Sequence, residues 1–88
     1  MNANQNQNSF TSNENKGLLW EMMMSNNMFD GVGDENFQNV KMMFENVIMR
    51  IGGEIQDESA MTKNRLLSLN KTAILEIRTN LEIFKKMS

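Results

Sequence analysis

The sequence predicts an all-α fold: a helical hairpin of two long helices, a short N-terminal helix packed across it, and a disordered N-terminal arm. Three observations predict it. Phe37, Val40, Phe44, Val47, Ile48, Ile51 and Ile55 recur at steps of three and four, the spacing of one buried helix face. Leu67, Asn70, Ile74, Ile77, Leu81 and Phe84 follow at 3, 4, 3, 4, 3, a heptad seam of about two and a half repeats. The chain has 88 residues, enough for one small domain.

Residues 1–16 form the expected arm and residues 17–88 the expected domain. Met1 to Asn15 reads MNANQNQNSFTSNEN, in which Asn and Gln alternate with small or polar residues and only Phe10 could anchor anything. Such a tract buries too little apolar surface to offset the entropy of ordering it, about 1–2 kcal/mol per residue for the backbone. It is either a compositional by-product or an arm that orders on a partner. Composition changes at Lys16-Gly17, and Leu18, Leu19, Met22 and Met23 then fall at helical spacing, which predicts a helix over 18–27. The following SNNMFDGVGDEN is loop punctuation, with Met28, Phe29 and Val32 as the apolar residues that tether it to the core.

Asp34, Glu35 and Asn36 suit the start of the first long helix, because a carboxylate there can accept from orphan backbone N–H groups. Gly52-Gly53 marks either its end or a close approach of backbones, since each Gly costs about 1 kcal/mol relative to Ala inside a helix. GGEIQDES is the corner, and Ser59 or Thr62 can cap a last helix over 60–86, with Lys85 and Lys86 at the negative end of its dipole.

Composition removes most catalytic chemistries. With no Cys and no His there is no thiolate nucleophile, imidazole base, disulfide, or thiolate or imidazole zinc site, which leaves carboxylates and hydroxyls. Asp30, Asp34, Glu35, Asp57 and Glu58 read as helix caps. DGVGDEN lacks the alternating oxygen ligands of a calcium loop, and Gly31-Val32-Gly33 is followed by no GK[ST] of a phosphate loop. No enzyme, metal or cofactor is expected. No apolar run approaches the roughly 20 residues of a membrane span, and the start lacks the pattern of a signal peptide, so the expected location is intracellular.

The net charge of -2 hides an asymmetry. Residues 1–60 carry three basic against nine acidic groups, and residues 61–88 six against two, giving -6 and +4. The halves can pack on one another within the chain, or the basic half can meet an acidic partner. Lys63, Arg65, Lys71 and Arg78 lie near one another on the last helix, and Arg65, Lys71 and Arg78 repeat at 6 and 7, roughly one face, but no aromatic residues interleave and Glu76 and Glu82 dilute them. A nucleic-acid accessory role is therefore an alternative and not the main expectation.

The candidate interaction residues are Trp20 and Phe29 as anchors, Phe37, Phe44, Val47 and Ile51 on one long helix, and Leu67, Asn70, Ile74, Ile77, Leu81 and Phe84 on the other. Asn70 either caps a fresh helical segment, stays exposed, or acts as a buried register device that needs a partner amide. Trp20 is a core anchor or an interface hot spot. Ten methionines are gap-fillers or an adaptable partner surface; Met42, Met43 and Met49 widen the apolar stripe beyond what one neighbouring helix covers.

The Asn-rich start, KGLLWEMM, MFDGV, FENVI and KNRLLSLNKTAILEI together resemble small helical proteins of nucleocytoplasmic large DNA viruses. The resemblance spans residues 17–84 and implies a minor virion or factory component, located in host cytoplasm or virion; it transfers no functional residues. From the residues themselves the expectation is a non-enzymatic structural or assembly protein, self-associating as a homo-oligomer or docking on a protein partner. A small regulator of a larger enzyme is the further alternative.

Overall fold

The computed structural model describes residues 9–57 and 61–87. Its elements are α1 (Asn13–Ser25), a 3-10 turn at Asp34–Asn36, α2 (Phe37–Gly53) and α3 (Lys63–Met87). The all-α hairpin with a shorter N-terminal helix is the observed architecture, 46 Å long and 20 Å in each cross-direction.

The helix starts and stops have local causes. Ser12 sits in extended backbone and its hydroxyl accepts from the Asn15 N–H at 3.0 Å, capping α1. At the other end Asn27 adopts φ 57, Met28 N–H reaches the Met23 carbonyl (3.0 Å) and Asn27 N–H the Met24 carbonyl (3.1 Å). That is a Schellman motif with Asn at its left-handed position, and the two side chains it brings together, Met23 and Met28, are both buried. Thr62 caps α3, its Oγ1 accepting from Arg65 N–H at 3.1 Å. Ser59, the other candidate cap, lies outside the described residues. Among the described residues no side-chain oxygen caps the 3-10 turn or the start of α2, in contrast to the carboxylate cap expected there.

Two boundaries differ from the reading of the sequence. α1 occupies Asn13–Ser25 in place of 18–27, and the folded part begins by Ser9, before the expected boundary at Lys16-Gly17. Residues 1–8 of the expected arm lie outside the described residues; Ser9 to Lys16 are built into the fold. Phe10 is fully buried, Ser12 is the cap and Asn15 is buried. A window of polar composition misses this because one aromatic, one hydroxyl and one amide do the anchoring.

The core is contributed by Phe10, by Leu19 and Met23 of α1, by Met28 and Val32 of the loop, by Val40, Phe44, Val47, Ile48 and Ile51 of α2, and by Ala73, Ile77 and Leu81 of α3. Each fully buried aliphatic side chain stabilises the fold by about 1.5–3 kcal/mol. α2 and α3 are antiparallel: Arg50 faces Glu76, and the Met43 end of α2 shares a groove with Phe84. The start of α1 meets the end of α2, where Gly52 lies against Thr11 and Phe10, and meets α3 at Asn70. Its far end meets the start of α2 through Trp20 and Phe37, and the loop beyond brings Gly31 beside Lys85. Hence α1 runs parallel to α3 and antiparallel to α2.

Gly52-Gly53 serves both purposes the sequence allowed. α2 ends at Gly53, and a Cβ on Gly52 would overlap the Thr11 Cγ2 methyl, whereas one on Gly53 would meet open space. Gly52 lets the segment before α1 cross the end of α2.

Candidate functional site

The most specific polar feature of the molecule joins α1 to α3. Asn70 is buried, with 4% of its surface exposed, and pairs with Asn15, also at 4%. Asn15 Nδ2 donates to Asn70 Oδ1 (2.9 Å), and Asn70 Nδ2 donates back to Asn15 Oδ1 (3.1 Å). The second hydrogen of Asn15 Nδ2 goes to the Phe10 carbonyl at 2.9 Å. Asn70 therefore neither caps a helix nor faces solvent. It has the partner amide that a buried Asn requires, supplied by Asn15 of its own chain. Asn15 lay within the expected arm, and no local signal in the sequence singles it out.

Trp20 and Phe29 do act together. Their ring centroids are 4.9 Å apart, and Trp20 packs edge-on against Phe44 (5.2 Å) and Phe37 (6.0 Å), an arrangement the ring quadrupoles favour. Trp20 and Phe29 are half-buried against the core, whereas Phe37 is exposed at 45%, with Lys41 Nζ 5.2 Å from its ring centre. Phe37 stands at the margin of the aromatic cluster, at the first residue of α2.

On the hairpin, Phe44, Val47 and Ile51 are buried, as are Asn70, Ile77 and Leu81; Ile74 and Phe84 are half-buried. Leu67 departs from the expected seam and is 52% exposed. The buried row on α3 is Asn70, Ala73, Ile77, Leu81, with steps of 3, 4 and 4. α3 packs on two neighbours, so its buried face is centred differently from a two-helix heptad seam. Ala73, absent from the expected seam, lies fully buried in the core, while Leu67 is exposed.

The basic segment packs antiparallel on the acidic one, as the charge asymmetry allowed, but the sign of the bridging pair is reversed. The ion pair that crosses from α2 to α3 joins Arg50 of the acidic half to Glu76 of the basic half. Glu76, first by its hydrogen bond and then by its charge, holds the Arg50 guanidinium above its ordinary pKa. Lys16 and Glu45 link α1 to α2 at 3.3 Å, and Lys85 pairs with Glu82 at 3.7 Å. All are solvent-exposed pairs of the kind that contribute about 0–1 kcal/mol. Arg65 does not share a face with Lys71 and Arg78: it lies at the corner with Glu54, Ile55 and Asp57, because six residues advance a helix by one and two-thirds turns.

Among the described residues no group of three Asp or Glu side chains could hold a metal ion, and no helix is long and apolar enough to cross a membrane. Among the described residues ten large apolar side chains remain exposed, including Leu18 on α1, Met42 and Met49 on α2, and Leu67, Leu75 and Ile83 on α3. No protein-family model matches the chain, and no curated protein or solved structure matches it.

Proposed function

We propose that the chain is a non-enzymatic structural or assembly protein that acts through helix–helix contacts with protein, its own copies included. The observation that carries this reading is the distribution of apolar surface. The core takes one stripe from each helix, and a second set of Leu, Ile and Met side chains on the same helices is left 39–70% exposed. Single exposed apolar residues are ordinary, but pairs that share a helix face, Leu18 with Met22 on α1 and Met42 with Met49 on α2, are what a docking helix covers. The non-enzymatic part is supported by a side-chain set without His or Cys and by the absence of a three-carboxylate cluster among the described residues. The resemblance of the sequence to small helical proteins of large DNA viruses narrows the proposed setting to a minor virion component.

Sedimentation of the full chain over a hundredfold range of concentration tests the reading. The expected result is a mass above 10.2 kDa that grows with concentration, accompanied by a rising thermal midpoint. A mass of 10.2 kDa throughout the range overturns self-assembly.

A further inference from the structure

We propose that a second copy of this chain docks on the outward face of the α1/α3 pair, with the two copies related by a two-fold axis parallel to the helices. The inference rests on the self-assembly reading and adds the surface and the orientation.

The Asn15–Asn70 pair fixes which sides of α1 and α3 look at one another. Helical spacing then orders the neighbours around each rod on the side away from α2. On α1 the order is Met22, Leu18, then Glu14 and Glu21. On α3 it is Ile74, Leu67, then Arg78 and Lys71. Three apolar members of this strip are open to solvent, with Leu18 at 50%, Met22 at 39% and Leu67 at 52% exposed, and Ile74 between them is half-buried. Its two edges carry opposite charge, and all four edge residues are exposed without an ion pair among the described residues.

The charges are also in step. Glu14 to Glu21 and Lys71 to Arg78 are both seven residues, about 10.5 Å at 1.5 Å per residue. Because α1 and α3 run parallel from the level of Asn15 and Asn70, Glu14 stands near the height of Lys71, and Glu21 near that of Arg78. A two-fold axis along the helices turns the strip over from left to right without changing height. The acidic edge of each copy then meets the basic edge of the other, and the apolar strips meet between them. An axis across the helices would set acid on acid and base on base. The face thus encodes a partner identical to itself, in one orientation. The α2/α3 groove encodes none, because Arg50 and Glu76 already neutralise each other there.

Two double variants test this, Glu14→Lys with Glu21→Lys, and Lys71→Glu with Arg78→Glu. All four positions are exposed, so far-ultraviolet circular dichroism is expected to match the wild type. Each variant alone, now carrying like charges on both edges, is expected to dimerise at least tenfold more weakly by sedimentation. An equimolar mixture is expected to restore association as a heterodimer, and the quadruple variant, with its edges exchanged within one chain, to associate as the wild type does. Should either double variant associate as tightly as the wild type, or the mixture no better than its components, the surface is wrong although a wild-type mass above 10.2 kDa leaves self-assembly standing. A quadruple variant that folds but stays monomeric overturns the docking face as well.

Discussion

Replacing Asn70 by Leu should be among the most destabilising single changes available in this chain, although it adds apolar surface. Asn and Leu both branch at Cγ, so the substitution tests polarity more than shape. In Asn70→Leu the surviving Asn15 amide keeps its bond to the Phe10 carbonyl, but its Oδ1 and one N–H lose their partners at a site 4% exposed. A buried polar group stranded in this way costs about 1–3 kcal/mol, so the variant is expected to lose roughly 2–4 kcal/mol. A domain of this size has about 4–13 kcal/mol in total, so the loss is a large share. The midpoint of thermal unfolding should fall by on the order of 10–20 °C.

Asn15→Leu should cost at least as much, because the Phe10 carbonyl is stranded too. The double variant is different: no amide remains, and of the groups in this network only the Phe10 carbonyl loses its partner. It should therefore be less destabilised than the two single variants added together, by about 2 kcal/mol or more. Urea unfolding followed by the fluorescence of the single tryptophan, Trp20, and by circular dichroism supplies the four free energies. If the single losses are below about 1 kcal/mol, or add within about 0.5 kcal/mol, the amide pair does not hold α1 to α3 as argued.

Two further outcomes follow from the segment that precedes α1. Gly52→Ala gains about 0.5–1 kcal/mol of helix propensity but sets a methyl into Thr11 Cγ2, so a net loss of about 1 kcal/mol is expected. Thr11→Ser, which removes that methyl, should restore stability in the Gly52→Ala background, and Gly53→Ala, facing open space, should show no loss by the same urea titration. Deleting residues 1–16 should abolish cooperative unfolding or lower its midpoint steeply, since it strips the buried Phe10, the Ser12 cap and the Asn15 amide; a truncated chain as stable as the full one would return the segment to the role of a dispensable arm.

What the sequence made legible was whatever repeats. The stripe on α2 was legible because five of its members, Val40, Phe44, Val47, Ile48 and Ile51, are all buried and all large. The second half of α3 was legible for the same reason, through Ile77 and Leu81. The misses share a different physics. Asn15 is buried only because Asn70, 55 positions away, supplies its partner, and a polar residue carries no local sign of such a pair. Ala73 adds little to an apolar count, yet it is fully buried in the core. Leu67 fits a heptad, but a heptad describes a helix with one partner, and α3 has two. Gly52 had a cause once Thr11 was known to cross it.

The same two-neighbour packing links stability to the proposed association. A hairpin of two helices can cover one stripe on each, which at this chain length leaves burial and ordering entropy close to cancelling. α1 adds a third stripe, and its flanks seal both ends of the hairpin: Phe10 and Thr11 over Gly52 at one end, Met28 and Val32 with the loop at the other. Three rods around one core still leave an outward groove between each pair. The groove between α1 and α2 is spanned by Lys16 and Glu45 above Trp20, and the one between α2 and α3 by Arg50 and Glu76. The face of α1 and α3 has no such bridge: its apolar strip is bordered by charges that find no partner within the described chain. In the proposed dimer a second copy supplies those partners while removing the strip from water, so the interaction that completes the electrostatics is also the one that adds apolar burial to a small core.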